Sequence, residues 1–166
     1  MCIFFRKKRL LLKILSFLPA IVLLFFIFVF SSQNGEESGS LSFEISLFLA
    51  KLFSPLLPAT DANELLLARA ESIHLLVRKA AHITEFFLLT LSIYLPLSTC
   101  FQKKLSFSKR LFLCFCFSVF FSVSDEFHQT FIPGRNGNFT DVCIDTIGII
   151  LATLLLLLRQ SKKKSV

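Results

Sequence analysis

The chain has 166 residues, a mean hydropathy of +0.72, 22 phenylalanines and no tryptophan, which excludes an ordinary soluble domain. Its length suits a single domain. The formal net charge of +7 is compatible with an anionic partner, but the lysines and arginines lie in short clusters beside apolar runs. This pattern favours membrane topology over nucleic-acid binding, and no nucleic-acid-binding motif is visible. The five cysteines show no C-x-x-C spacing, so no disulfide framework is indicated.

Four apolar segments are long enough to cross a hydrocarbon core of about 30 Å, which takes ~20 helical residues. They cover residues 14–30, 77–97, 107–124 and 142–158. The second and fourth carry charges at one end only, which is typical of a span with a polar mouth. The sequence therefore predicts an all-α fold, a polytopic membrane helix bundle with four transmembrane helices. The first segment follows basic residues as a secretory signal does, but its long apolar run and the lack of an A-x-A-like site favour an uncut anchor.

The charged connections predict the orientation of these spans. Connection 31–76 carries six acidic and two basic residues, so we expect it outside. The basic residues form three clusters on the other connections and ends, and we expect all three in the cytoplasm. The clusters are Arg6, Lys7, Lys8, Arg9 and Lys13; Lys103, Lys104, Lys109 and Arg110; and Arg159, Lys162, Lys163 and Lys164. The prediction is a multi-pass protein of the cell membrane with both termini cytoplasmic.

The outer connection 31–76 is predicted to contain structure of its own. The stretch "LSFEISLFLAKLFSPLLP" mixes serines and Lys51 with many Leu and Phe residues, as an amphipathic helix lying in the membrane interface does. Asp61 followed by Glu64 is typical of a helix N-cap with its capping-box partner. We expect a helix to begin there and to continue into the second span. The Ser-Gly stretch 35–40 is interpreted as flexible.

Polar residues recur at helical spacing at the outer end of three spans, so that each span presents one polar face. The faces hold Arg78, His82 and Glu85 on the second span; Asp125, His128 and Gln129 on the third; and Asp141, Asp145 and Gly148 on the fourth. Glu126 is expected to turn aside. Gly148 is expected to let a neighbouring helix approach closely. Because ionisable groups in membrane helices are costly, their agreement on three helices favours a functional pocket over a network that only registers the helices.

The segment "IPGRNGN" between the third and fourth spans is a predicted turn, since Pro133-Gly134 and Asn136-Gly137 break helices. It would place Arg135 over the polar cluster. Arg78 and Arg135 are the expected counter-ions of the buried carboxylates. At the end of the first span, "SSQ" at residues 31–33 lies at the same level.

These segments together resemble the VanZ-like family, which is named for a teicoplanin-resistance protein. The matching elements are "SSQ" at 31–33, "RKAAHITEF" at 78–86 and "SDEFHQTFIPGRNGNFTDVCIDTIG" at 124–148, in order along most of the chain. Phe86 departs from the family, which often has Tyr there. The resemblance implies a multi-span bacterial cell-envelope protein. The name-giving member lowers susceptibility to glycopeptides that carry a lipid tail.

Two functions from different classes follow. The first is a non-enzymatic envelope factor whose outer pocket binds or excludes an amphiphile, such as a lipoglycopeptide or a lipid-linked cell-wall precursor. Arginine side chains suit a phosphate or carboxylate on such a molecule. The candidate substrate-binding residues are Arg78, Gln129, Arg135 and Gln33.

The second function is a membrane hydrolase or transferase acting on a lipid-linked envelope substrate. Its candidate catalytic residues, which also form a candidate site for one or two divalent metals, are His82, Glu85, Asp125, His128, Asp141 and Asp145. Such a metal would activate water, or His128 would act as a base oriented by a carboxylate. A channel or transporter is disfavoured, because the spans are polar at one end only and offer no polar path across the bilayer.

Overall fold

The computed structural model describes residues 10–53 and 62–164. Within these ranges the chain forms five long helices and no strand: α1 (Leu18–Ser31), α2 (Gly35–Phe53), α3 (Ala62–Cys100), α4 (Phe107–Gln129) and α5 (Phe139–Lys164). Residues 10–15 are helical as well. The basic residues 6–9 and the predicted N-cap Asp61 lie outside the described residues.

Residues 10–53 and 62–164 contain four helices that are long and apolar enough to cross a membrane, and no strand, which confirms the predicted all-α class. These candidate spans are Leu10–Ser31, Asn63–Cys100, Phe107–Gln129 and Phe139–Lys162. Each contains most or all of one predicted span. The second one is much longer than predicted, because the helix runs unbroken from Ala62 through Pro96 to Cys100. The expected continuation of the outer helix into the second span is confirmed.

Local signals in the sequence explain where the helices begin. Ser106 has an extended backbone, and its hydroxyl accepts a hydrogen bond from the backbone N–H of Lys109, so it caps α4. Asn138 and Asp141 cap α5 reciprocally: the backbone N–H of Asp141 donates to Asn138 Oδ1 at 3.0 Å, and Asn138 Nδ2 donates to the Asp141 carboxylate at 3.0 Å. These caps explain why α4 and α5 begin within a few residues of the predicted positions.

The prediction of a flexible stretch at 35–40 is wrong, because α2 begins at Gly35. Asn34 Oδ1 accepts a hydrogen bond from the backbone N–H of Glu37 at 2.8 Å, which caps the helix. Glu36 and Glu37 in the first turn favour the helix further through its dipole. Glycine at position 35 also fits close packing, since a Cβ there would meet the carbonyl of Gly134.

Helix α3 is the centre of the bundle and packs against each of the other four described long helices. Its Phe86 and Leu89 are fully buried with Ile149 of α5, and Ile27 of α1 joins this core. Gly148 is where α5 crosses α3, because a Cβ at that position would clash with the backbone carbonyl of Ile83. This confirms the expected close approach. The outer faces of the spans expose many Leu, Ile and Phe side chains, as lipid contact requires.

Candidate functional site

Buried polar residues converge at one end of the bundle, which we call the polar end. They come from α4, α5 and the loop between them, and each is less than one-tenth exposed: Asp125, Glu126, Gln129, Arg135 and Asp145. α3 adds Arg78, His82 and Glu85, which all line the same cavity, so the predicted shared face is confirmed. The polar end is therefore built by elements far apart in sequence.

His82 and Asp145 form the innermost contact of the polar end. His82 Nδ1 lies 3.3 Å from Asp145 Oδ1, and the Asp145 side chain is fully buried whereas that of His82 is 18% exposed. The two atoms are within ion-pair distance but lack the alignment of a hydrogen bond. The second oxygen, Asp145 Oδ2, accepts a hydrogen bond from the Ser122 hydroxyl at 2.7 Å. The carboxylate of Asp145 is thus fixed in orientation by α4 and faces the imidazole of α3.

Glu126 lies inside this cluster, so the expectation that it turns aside is wrong. It is 4% exposed, and one of its carboxylate oxygens lies within 4.8 Å of donor atoms of His82 and Asp145. Its Oε2 accepts a hydrogen bond from the backbone N–H of Asn138 at 3.0 Å. Ser118 and Ser122 are also buried on α4, and continuing their spacing brings Asp125, Glu126 and Gln129 to the inner face.

His128 does not belong to the buried face of α4 and packs instead against α1. Its ring stacks on Phe28 of α1, with ring centroids 5.1 Å apart, and its Nε2 is hydrogen-bonded to the Ser32 hydroxyl at 3.2 Å. Asp141 is partly exposed and is engaged in capping α5 with Asn138. Among the predicted catalytic and metal-binding residues, the structure thus brings together four and leaves His128 and Asp141 at the margin.

A cavity of about 220 Å³ opens beside this cluster. Its polar wall includes Asp125 and Gln129, which are joined by a hydrogen bond of 2.9 Å from Gln129 Nε2 to Asp125 Oδ2. Apolar residues of α1, α2 and α3 also line the cavity, and we call them the apolar wall. They are Ile27, Phe30, Leu41, Ile45, Val77 and Ala81. The cavity therefore offers both polar and apolar groups to any occupant.

Arg135 closes the end of this cavity. Pro133 and Gly134 form the predicted turn: the Arg135 N–H donates to the Ile132 carbonyl at 3.1 Å, and Gly134 has the positive φ of 74° that a type II turn requires. The Arg135 guanidinium donates to two backbone carbonyls at the end of α1, Phe30 at 2.7 Å and Gln33 at 3.0 Å. The loop is thereby attached to α1.

Neither arginine forms the expected ion pair with a carboxylate within the described part of the chain. Arg135 is held by carbonyls, and Asp145 has His82 as its ion-pair partner. Burial, and next the positive charge of Arg78, lower the pKa of Arg135 from its ordinary value. Both guanidinium groups therefore line one cavity together with the carboxylates of Glu85 and Asp125, neither of which lies at ion-pair distance from either arginine among the described residues.

A second cavity of about 250 Å³ lies on the other side of Arg78 and His82. It is lined by Lys79, by Asn136 and Asn138 of the loop, and by Asp141 of α5. His82 lines both cavities, so its imidazole lies in the wall between them.

Of the site residues, the sequence interpretation missed Ser122, Glu126 and Asn138. The helical spacing of the small residues Cys114, Ser118 and Ser122 would have assigned the buried face of α4 correctly.

The fold and the position of this cluster define a multi-pass helical membrane protein in which the buried charged residues of the described part are gathered at one end of the bundle. The chain belongs to the VanZ/LLP1 family: the sequence model of that family matches residues 16–160, which is most of the chain. The resemblance seen in the sequence motifs is thus confirmed. No curated protein and no solved structure matches the chain.

Proposed function

We propose that the whole chain, residues 1–166, is a single VanZ-like domain in the cell membrane and that its polar end binds an anionic amphiphile at the outer surface. The ligand class is a lipid-linked envelope precursor or a lipoglycopeptide such as teicoplanin. One observation carries the proposal: a single cavity combines an apolar wall with two arginines that have no carboxylate at ion-pair distance among the described residues.

The apolar wall suits the hydrocarbon part of such a ligand. α2 contributes Leu41 and Ile45 to the cavity, while Phe48, Leu52 and Phe53 of the same helix are exposed. An apolar helix of this kind packs its outer face against lipid. A lipid chain can therefore lie against α2 and pass from the bilayer into the cavity without exposure to water.

The arginines suit the anionic part. Burial and then the charge of Arg78 lower the pKa of Arg135, and the carboxylates of Asp125, Glu126 and Glu85 oppose this effect. An anion placed between the two guanidinium groups would relieve their repulsion further. Guanidinium groups bind phosphate and carboxylate oxygens in pairs of parallel hydrogen bonds. Because Arg135 is already held at Phe30 and Gln33, little additional order is needed when the ligand binds.

An outer position of the polar end is supported by the charges of the connections. Lys13, Lys103, Lys109 and Arg159 all lie at the opposite end of the spans, as cytoplasmic residues do under the positive-inside rule. Reporter fusions after residue 60 and within 134–138 should report an outside position, and fusions after residue 104 an inside position. An inside signal at Gly137 would refute both the orientation and the outer pocket.

Binding is tested with purified full-length protein in lipid nanodiscs, titrated separately with a polyprenyl phosphate and with labelled teicoplanin. Arg78→Gln combined with Arg135→Gln should weaken binding of the active ligand by at least about tenfold, or ~1.4 kcal/mol. Lys79→Gln is the matched control: it removes a cation from the neighbouring residue, which lines only the second cavity.

The apolar wall is tested in the same titration. Leu41→Gln should weaken binding because it places an amide on the cavity wall, whereas Phe48→Gln changes an exposed side chain of the same helix and should not. The ligand that binds more tightly, polyprenyl phosphate or teicoplanin, identifies the class of amphiphile. If the wild type, the double arginine variant and Leu41→Gln bind both ligands with equal affinity, the proposed binding site is refuted.

In cells, the test pairs membrane abundance with lipoglycopeptide susceptibility. Arg78→Gln should reach the membrane at near-normal abundance and lose any protection that the wild-type protein gives. Protection that survives in an abundant double-arginine variant would argue against the proposed ligand contact.

A second candidate is a membrane hydrolase, and the geometry of His82 favours it. Its imidazole lies in the cavity wall and faces the buried Asp145, which Ser122 holds in place. A histidine oriented by a carboxylate can act as a general base that activates water. Release of inorganic phosphate from a polyprenyl phosphate in nanodiscs would support this candidate if it is lost in His82→Gln but kept in His128→Gln. The absence of turnover with intact ligand binding would leave the binding role alone.

A further inference from the structure

We infer that His82, Glu126 and Asp145 hold one divalent transition-metal ion at the polar end, with Ser122 and Asn138 orienting the two carboxylates. The site goes beyond the proposed ligand binding and does not depend on it. It also differs from the sequence-derived metal candidates, because it includes Glu126 and leaves out Glu85, Asp125, His128 and Asp141.

Three buried atoms carry the inference. His82 Nδ1, Glu126 Oε1 and Asp145 Oδ1 each have essentially no solvent contact and no hydrogen-bond partner among the described residues. Glu126 and Asp145 are more than nine-tenths buried. Buried polar atoms without partners are rare in native proteins, because each costs the full free energy of desolvation. His82 Nδ1 and Asp145 Oδ1 lie 3.3 Å apart without forming a hydrogen bond, and the gathering of these atoms from α3, α4 and α5 indicates that they share one further partner, a cation.

The spacing of the donors fits a metal ion. One donor atom from each of the three residues lies within 4.8 Å of the other two, and the closest pair, His82 Nδ1 and Asp145 Oδ1, is 3.3 Å apart. Ligands at ~2.0–2.2 Å from one Zn²⁺ ion lie roughly 3–3.5 Å from each other in tetrahedral geometry. The closest pair already has this separation, and a small shift of the flexible Glu126 side chain would complete the set.

The remaining carboxylate oxygens are held as those of metal ligands are. Ser122 donates to Asp145 Oδ2 at 2.7 Å, and the backbone N–H of Asn138 donates to Glu126 Oε2 at 3.0 Å. Each carboxylate therefore has one oxygen held by a hydrogen bond and one oxygen without a hydrogen bond among the described residues, and that oxygen of Asp145 lies 3.3 Å from His82 Nδ1. Such outer contacts fix the orientation of ligating side chains in metalloproteins.

The charge of the group also favours a divalent cation. In the forms that ligate a metal, two carboxylates and a neutral imidazole would together carry a charge of about −2, which is unfavourable in a bundle surrounded by hydrocarbon. A divalent ion neutralises it, and neither Arg78 nor Arg135 does so at ion-pair distance. One imidazole and two carboxylates suit Zn²⁺ or Mn²⁺, because imidazole favours transition metals over Mg²⁺ or Ca²⁺.

The metal inference is tested on the full-length protein purified in detergent after expression with Zn²⁺ and Mn²⁺ supplied. Elemental analysis should find about one ion per chain, and chelation should lower the unfolding temperature reversibly. His82→Gln, Glu126→Gln and Asp145→Asn should each lower the metal content to background. Ser122→Ala should keep the metal but weaken its affinity by about tenfold or more.

Asp125→Asn is the matched control for Glu126→Gln, since it alters a buried carboxylate on the adjacent position of α4 and should keep the metal. Co²⁺ loading gives a second readout: visible absorption should appear in wild type and Asp125→Asn and be absent in folded Glu126→Gln. If Asp145→Asn fails to fold, Glu126→Gln and His82→Gln decide the outcome. A wild-type protein without metal after supplementation, or a Glu126→Gln protein with full metal content, would overturn the site. Amphiphile binding by a metal-free wild-type protein would leave the proposed function standing while this site fails.

Discussion

At the polar end of the bundle, Asp125, Glu126 and Asp145 are each less than one-tenth exposed, whereas at the opposite end Lys103 and Arg159 are exposed. The acidic residues accept hydrogen bonds from Gln129, Asn138 and Ser122, whereas the basic ones are exposed. Burial of an ionisable group must be offset by specific contacts, while an exposed charge needs none. The two ends therefore differ in how their charged groups are stabilised, by contacts within the protein at the polar end and by exposure at the basic end.

The cavities of the two ends support the same distinction. The basic end has the larger groove, about 530 Å³ against about 220 Å³ at the polar end. Its lining includes five leucines and two serines with Tyr94 and Arg159, and no buried ionisable residue contributes to it among those that the structure describes. The cavities of the two ends therefore differ in the polar groups that line them as well as in volume.

The largest expected loss of stability is at Gly148, where α5 crosses α3. Gly148→Ala should lower the free energy of unfolding by ~2–3 kcal/mol, because the added methyl group meets the Ile83 carbonyl and forces the helices apart. Metal or ligand binding at the polar end should fall with it. Gly39→Ala is the control, since a Cβ there meets nothing within 4 Å. Thermal unfolding of both variants in detergent measures the difference. Equal unfolding temperatures for Gly148→Ala and Gly39→Ala would show that the helices are not in close contact at Gly148.

A smaller effect compares one arginine from each end. Arg135→Ala removes two charge-assisted hydrogen bonds to the carbonyls of Phe30 and Gln33 and should cost ~2 kcal/mol. Arg159→Ala changes an exposed side chain and should stay within about 0.5 kcal/mol of wild type. The unfolding temperature of each variant measures the difference. Similar losses at both positions would remove the contrast between the two ends.

The smallest expected loss of stability is at Ser118, and it tests how far the polar end extends along α4. Ser118 accepts a hydrogen bond of 3.0 Å from Thr90, one turn from Ser122. Ser118→Ala should cost ~0.6 kcal/mol, as hydrogen bonds between membrane helices do on average, and leave ligand and metal binding unchanged. Ser122→Ala should reduce metal affinity at a similar cost in stability. Loss of metal in Ser118→Ala would extend the site deeper into the bundle than the structure indicates.

The sequence predicts the helices well where local chemistry decides them. Ser106 caps the start of α4, and the Pro133-Gly134 turn follows its end. The start of α2 is explained by the Asn34 cap and the acidic first turn, which the sequence analysis did not recognise. The predicted flexibility of residues 35–40 is wrong because serine and glycine content does not reveal the helix cap that Asn34 provides. Local composition is a weak guide where one side chain satisfies the free N–H groups of a helix start.

The site was predicted in part. Spacing alone grouped Arg78, His82 and Glu85 correctly, since a helix fixes which residues share a face. It failed on α4, where the choice between Glu126 and His128 depends on how the helix is rotated within the bundle. That rotation is set by packing of the small residues Ser118 and Ser122 against α3 and α5, which the local pattern of charges does not contain.

The order in which the site residues are synthesised has a consequence for biogenesis. His82 lies on α3, Glu126 on α4 and Asp145 on α5, so the last contributor emerges only when the final span is made. α3 and α4, which carry most of the polar groups, are also less apolar than α1 and α5. A nascent chain that stops before α5 therefore holds the two less apolar spans while His82 and Ser122 still lack their contacts with Asp145. Completion of the cluster would coincide with release of the finished protein into the bilayer.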